Sequence, residues 1–311
     1  MKDFTIEQKK AMRDTIIAMQ ENSGLSGNEF ATKTLGFTSG SKFSHIRNNW
    51  DKPGMVGQET WEAIEKHIEK HQQYRGVPTS NFKKVWETCQ RAYSLKKPMA
   101  VIGDGGLGKT FALEKFKEYT ESQRAFKVVY FDASMVKTNK QFVAGLMKAL
   151  DCYHPGSMSS QLQDMRLYAS KQDMLICIDE VSAMEGHNVT ITKDVMTAFK
   201  DMCGIVFAGT PYFINNLNKG AIRNRHLFSE TRDRLFMLPE ILERPTDEEA
   251  ELVFKANGIT SKDMLDIVMG RNKKMQKYSY LGKRTYRGIK DCIDLVRISD
   301  MKPIDWNAIN M

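Results

Sequence analysis

The stretch Met99 to Thr110, MAVIGDGGLGKT, constrains this chain more than any other. A short apolar run leads into a glycine-rich loop, Gly103-Asp104-Gly105-Gly106-Leu107-Gly108, that closes on Lys109 and Thr110. This is the full G-x-x-x-x-G-K-[ST] pattern. A polyphosphate needs many donors at close range, so such a loop turns successive backbone N–H groups inward, and glycines remove the side chains that would block the approach. Lys109 has the reach to meet the outer phosphates, and the Thr110 hydroxyl is a hard oxygen suited to magnesium. The helix beginning at Phe111 turns its positive end toward the anion. The pattern predicts a strand, a phosphate-binding segment from Gly103 to Phe111 and an amphipathic helix, in that order.

A second motif completes the first. Met174-Leu175-Ile176-Cys177-Ile178-Asp179-Glu180 is an apolar strand ending in two acids. Placed downstream of a phosphate loop, Asp179 can hold the magnesium ion, and Glu180 can align and polarise a water that attacks the terminal phosphate. ATP and Mg2+ are the implied ligands, with Thr110 and Asp179 as the protein's metal contacts. Two further apolar runs, Lys127 to Asp132 and Gly204 to Gly209, read as buried strands, and Leu235 to Leu238 reads as a fifth, short one. Strands that alternate with helical segments imply an α/β fold with a parallel sheet covered on both faces.

Length and composition set the frame. With 311 residues the chain has room for two or three units at about 150 residues each. Its formal net charge of +8 favours a polyanionic partner. The five cysteines are scattered, with no C-x-x-C pair, and read as core thiols of a reduced compartment. No run approaches the length of a membrane span, and the first twenty residues are charged throughout, so a cytoplasmic protein is expected. The 19 methionines are dispersed at core-like positions and read as gap fillers.

Ahead of the phosphate loop the sequence is helical. Ile6, Met12, Ile16 and Met19 suggest one buried face. Ser26 with Glu29 forms a capping box, which starts a helix that buries Phe30 and Ala31 and stops at Gly36. Ser39 or Ser41 caps a third helix, Lys42 to Asn49, with Phe43 and Ile46 inward. Its outward face holds Lys42, His45 and Arg47, all able to donate to phosphates or bases. A fourth helix, Gln58 to Gln72, carries Trp61, Ile64 and Ile68 on one side. The arrangement resembles helix-turn-helix domains of the phage-repressor type; a helical bundle used for protein contacts is the alternative. Pro and Gly between Tyr74 and Ser80 mark a boundary. The expected organisation is a helix-turn-helix-like domain over 1–75, a linker over 76–80, a nucleotide-binding core over 81–243 and a helical lid over 244–311. In the lid, Thr246 and Glu249 form another capping box, and helices are expected over Ser261 to Met269 and Thr285 to Ile298.

Taken together, the phosphate loop, the acid-tipped strand, the polar end of the fourth strand, the arginines before the fifth and the helical tail resemble an AAA+ ATPase. That resemblance implies that Thr210, after the fourth strand, senses the terminal phosphate. It implies a homo-oligomeric ring or filament in which an arginine from one subunit completes the next subunit's site. Arg232 best matches that arginine, with Arg234 second. It also implies a lid arginine at the nucleotide, for which Arg287 is chosen over Arg284. Within the family, the domain order is similar to transposition regulators of the phage Mu and Tn7 type. These assemble on double-stranded DNA, hydrolyse ATP and recruit a transposase. In that group a loop after the second strand faces DNA, here with Lys137, Thr138 and Lys140. A helicase loader or replication initiator shares the core. An ATP-liganded transcription regulator is a third possibility, against which Glu180 speaks, because a non-hydrolysing switch has no need of that base.

Overall fold

The computed structural model describes residues 4–23, 25–72, 74–184, 186–235 and 239–301. The chain forms two compact units, one from residues 1–77 together with 246–311, the other from residues 78–245. No helix among the described residues is long and apolar enough to cross a membrane.

The N-terminal helices are α1 (Ile6–Ser23), α2 (Gly27–Glu29, running on as a π turn over Phe30–Thr34), α3 (Gly40–Asn48) and α4 (Gln58–Gln72). The capping box at the start of α2 is formed: the Ser26 hydroxyl accepts from the Glu29 N–H, and the Glu29 carboxylate accepts from the Ser26 N–H, each at 3.3 Å. Phe30, Ala31, Phe43, Ile46, Trp61, Ile64 and Ile68 are buried together with Ile16. Ile6 is not among them and is 75 % exposed. At 3.6 residues per turn it falls well off the stripe of Met12, Ile16 and Met19, and Phe4 takes the buried place instead. Ser39 occupies the N-cap position of α3 without capping it, because its hydroxyl pairs with that of Ser41 at 2.7 Å. The helix therefore starts earlier than expected, at Gly40.

The second unit runs α5 (Ser80–Leu95), β1 (Pro98–Ile102), α6 (Lys109–Ser122), β2 (Lys127–Asp132), α7 (Asn139–Ala149), α8 (Met158–Ala169), β3 (Met174–Asp179), α9 (Ile191–Ala198), β4 (Gly204–Gly209), α10 (Pro211–Ile222), α11 (Phe228–Arg234) and β5 (Glu240–Ile241). All pairings are parallel, in the order β2-β3-β4-β1-β5. Alternate residues of the central strands feed two separate cores. Ile176, Ile178, Ile205 and Phe207 pack on one face, and Leu175, Cys177, Val206 and Ala208 on the other. Every residue of β3 and β4 is buried, as a parallel sheet covered on both sides requires.

Among the described residues the fifth strand is β5, which pairs Glu240 with Val101 and Ile241 with Ile102; of the expected run Leu235 to Leu238, residues 236–238 lie outside the described residues. Helix α6 also starts two residues before Phe111, so Lys109 and Thr110 form its first turn.

Helices α12 (Asp247–Ala256), α13 (Lys262–Val268) and α14 (Tyr286–Met301) complete the first unit. Ala250, Val253, Phe254, Ile289 and Ile293 form their core, against which Tyr74 and Val77 pack. The buried amide of Asn257 grips the backbone of Arg75 from both sides, accepting its N–H at 2.8 Å and donating to its carbonyl at 2.9 Å. All five cysteines are free. Burial pushes the thiols of Cys203 and Cys292 up, to about 12 and about 11, which makes these two packing groups rather than nucleophiles.

Candidate functional site

The phosphate loop is shaped by backbone that L side chains rarely adopt. Gly106 and Gly108 have φ of +81° and +87°, so a residue with a Cβ would strain the loop at both. A Cβ at Gly105 would meet nothing within 4 Å, so the loop faces open space there. Leu107 is buried and anchors the turn, while Asp104 and Gly105 are exposed. Asn81, at the start of α5, fixes the loop from behind. Its amide donates to the carbonyls of Leu107 at 3.3 Å and Glu243 at 2.7 Å and accepts from the Glu243 N–H at 3.2 Å.

Lys109 is 5 % exposed, and its ammonium donates to the loop carbonyls of Gly103 at 2.6 Å and Asp104 at 3.0 Å. From the far side of the site the Thr110 hydroxyl donates to Asp179 Oδ2 at 2.6 Å. The Glu180 N–H donates to Asp179 Oδ1 at 2.8 Å, with Glu180 itself held at φ +52°. The side chains of Lys109, Thr110 and Asp179 thus converge from residues far apart in the sequence. Thr210 is tied to the acid-tipped turn through a residue that no motif marks. Ser182 Oγ accepts the Thr210 N–H at 2.7 Å and donates to the Thr210 carbonyl at 3.3 Å. Gly209 permits this approach, because a Cβ there would stand 2.5 Å from the Ser182 hydroxyl. The Thr210 side chain does not cap α10.

Tyr130, also unmarked by any motif, donates to Asp179 Oδ2 at 3.0 Å. Burial, with the Asp179 carboxylate beside it, pushes the phenol well above its ordinary range, so it stays a donor.

The residues present fit a polyphosphate with magnesium. A buried ammonium now rests on carbonyls that a phosphate could replace, and a hydroxyl and a carboxylate oxygen lie together as a hard oxygen pair. Magnesium is held by one or two such groups with phosphates and waters. No cluster of three or more His, Cys, Asp or Glu suited to a metal occurs among the described residues.

The remaining expected site residues sit on other elements. Arg232 and Arg234 are in the last turn of α11. Arg234 is tied inward, to Glu230 at 2.8 Å and Thr197 at 3.0 Å, whereas the ion partner of Arg232 among the described residues is its chain neighbour Asp233, at 2.9 Å. Lys137 is exposed in the segment after β2 and Lys140 in the first turn of α7. The Thr138 hydroxyl is engaged as the N-cap of α7, paired with Gln141 in a capping box. In the other unit, Lys42 and Arg47 are exposed on α3 and His45 is half-buried, with its Nδ1 unpartnered. Arg47 pairs with Glu21 at 3.4 Å. Arg287 is exposed in the first turn of α14.

Residues 91–217 match a family model described as "AAA domain". Two solved structures share the fold. One is Cdc6p from Pyrobaculum aerophilum, with a TM-score of 0.53 at 13 % identity, over 74 % of this chain and 63 % of that one. The other is the ORC1 protein of Aeropyrum pernix in complex with DNA, with a TM-score of 0.50 at 13 % identity, over 71 % of this chain and 58 % of that one. The chain therefore spans less than two thirds of either structure. No curated protein sequence matches it. The family match and the five-stranded parallel sheet around the phosphate loop agree: the chain carries an α/β fold in which residues 91–217 match the AAA domain model.

Proposed function

We propose that this chain hydrolyses ATP and works on double-stranded DNA as a homo-oligomer. The observation that carries the reading is the meeting of the Thr110 hydroxyl and the Asp179 carboxylate at 2.6 Å beside a buried Lys109. Lys109 exchanges its two carbonyls for the outer phosphates, and the backbone N–H groups from Asp104 to Phe111 bind the rest, the Gly103 N–H being held by the Gly209 carbonyl. Thr110 and Asp179 would hold a magnesium ion, which would supply charge neutralisation at the phosphate oxygens. Glu180 aligns and deprotonates the attacking water. Thr210, its backbone pinned by Ser182, orients the terminal phosphate.

Arg232 is the arginine supplied to a neighbouring subunit, a reading favoured by its weak local tie. A charge-assisted hydrogen bond contributes about 1.5–3 kcal/mol, so Arg232→Ala should lower turnover by about 10–100-fold while ATP binding persists. Arg234→Ala should chiefly lower the melting temperature, since it removes contacts to Glu230 and Thr197. Equal turnover in the two variants would reject the assignment.

DNA contact is supported by the net charge of +8, by Lys137 and Lys140 after β2 and by Lys42, His45 and Arg47 on α3. The fold relative ORC1 was solved in complex with DNA. Of the possible partners, a transposase is favoured by the order of helix-turn-helix-like module, ATPase core and helical lid. A replication-initiation or helicase-loading role is the second reading, favoured by the fold likeness to Cdc6p and ORC1. Electron microscopy of the protein with ATP and random-sequence duplex DNA tests the choice. Continuous filaments are expected. Closed rings would favour the loader reading, and dispersed dimers with a several-hundredfold preference for one DNA sequence would sink both.

A further inference from the structure

Strand β2 reads KVVYFD, and between its charged ends Tyr130 alone carries a polar atom on its side chain. Parallel pairing sets Tyr130 opposite Cys177 and Asp132 opposite Asp179. Side chains alternate along a strand, so Tyr130, Cys177 and Asp179 point to one face of the sheet. That is the face covered by α5 and α6, through Val85, Cys89, Ala112, Leu113 and Phe116, with the Tyr130 ring packed partly buried against the same core. On this face the phenol stands one rung behind Asp179 and reaches forward to its Oδ2 at 3.0 Å. Thr110, from the first turn of α6, donates to the same oxygen at 2.6 Å.

Asp179 is 1 % exposed, and a carboxylate at that depth must be satisfied by donors. Three serve it: Thr110 and Tyr130 on Oδ2, and the Glu180 N–H on Oδ1. They differ in what they are free to do. The Glu180 N–H is fixed by the backbone. The Thr110 hydroxyl would also present its oxygen to a bound metal while keeping its proton, so its direction would be shared between two tasks. The Tyr130 phenol is the side-chain donor on that oxygen with no metal to serve.

We propose that Tyr130 is a positioning residue for the magnesium site, its phenol holding the Asp179 carboxylate in place for a metal that Thr110 would share. The proposal rests on the ATPase reading above and deepens it. A phenol suits the task because it has only two side-chain torsions, is held by the packing of its ring, and carries no charge. A lysine at this position would neutralise the carboxylate and repel the cation. Partners that orient a metal-binding carboxylate commonly change metal affinity by about 10–100-fold.

The test uses the full chain and Tyr130→Phe, which removes one oxygen and keeps the ring. Binding of a fluorescent ATP analogue is followed while Mg2+ is titrated, and separately in a chelator. The half-saturating Mg2+ concentration is expected to rise about tenfold, with chelator-state binding unchanged and the melting temperature lowered by the loss of one donor to a buried carboxylate. In an Asp179→Asn background the same substitution should add nothing, because the phenol acts through the carboxylate. Superimposable Mg2+ titrations of wild type and Tyr130→Phe, or a full additional loss on top of Asp179→Asn, would overturn the proposal. If the wild-type chain binds no analogue at any Mg2+ concentration, the ATPase reading on which it stands falls instead.

Discussion

Lys109→Ala is expected to abolish ATP binding at micromolar nucleotide and, with it, ATP-dependent association with DNA. The ammonium is buried in the loop and already donates to two oxygens, the carbonyls of Gly103 and Asp104. In the nucleotide complex it makes charge-assisted contacts to two phosphates, at about 1.5–3 kcal/mol each. Losing both weakens binding by about 10²–10⁴-fold. Fluorescent-nucleotide titration measures the loss, and circular dichroism checks that the loop variant is folded. Undiminished nucleotide affinity in a folded Lys109→Ala protein would remove the basis for the functional reading.

Glu180→Gln separates binding from hydrolysis. The contact that Glu180 makes to Asp179 Oδ1 comes from its backbone N–H, so an isosteric amide leaves Asp179, Thr110 and Tyr130 undisturbed. Glutamine lacks the base that takes the proton from water. General-base catalysis contributes about 10²–10⁴-fold, and steady-state turnover should fall by that amount with ATP affinity retained. If, as proposed, the ATP-bound state is the one that holds DNA, the variant should remain on DNA long after wild type has dissociated. Competition with excess unlabelled duplex in the presence of ATP measures this. A variant that leaves DNA as fast as wild type would break the proposed link between hydrolysis and release.

Much of the fold was legible because local chemistry decides it. The apolar runs at 127–132, 174–179 and 204–209 are strands with those bounds. The capping boxes at Ser26 and Thr246 set helix starts where the hydroxyl and the acid three residues on meet the backbone. Helix α4 follows its apolar stripe over the expected span. Legibility ended where neighbours in space decide. Ile6 matches the apolar composition of α1 but not its phase, and Phe4 replaced it in the core. The described part of the fifth strand, Glu240–Ile241, depends on where the chain meets the end of β1, which its own short sequence does not encode. Ser39 has the chemistry of a cap, but a second serine lay within reach.

The candidate site divides in the same way. By itself the sequence determined the phosphate loop, the acids at the end of β3 and the identity of the groups able to bind phosphate and metal, because each motif is continuous and its chemistry follows from residue type and spacing. Only the tertiary structure decided that Thr110 and Asp179 share a hydrogen bond, that Tyr130 joins them on the same carboxylate oxygen, and that Ser182 fastens Thr210. Those contacts depend on the register of β2 against β3 and on the approach of α6 and β4 to the strand ends. Register and approach are set by packing across the whole sheet, which no single stretch of chain encodes.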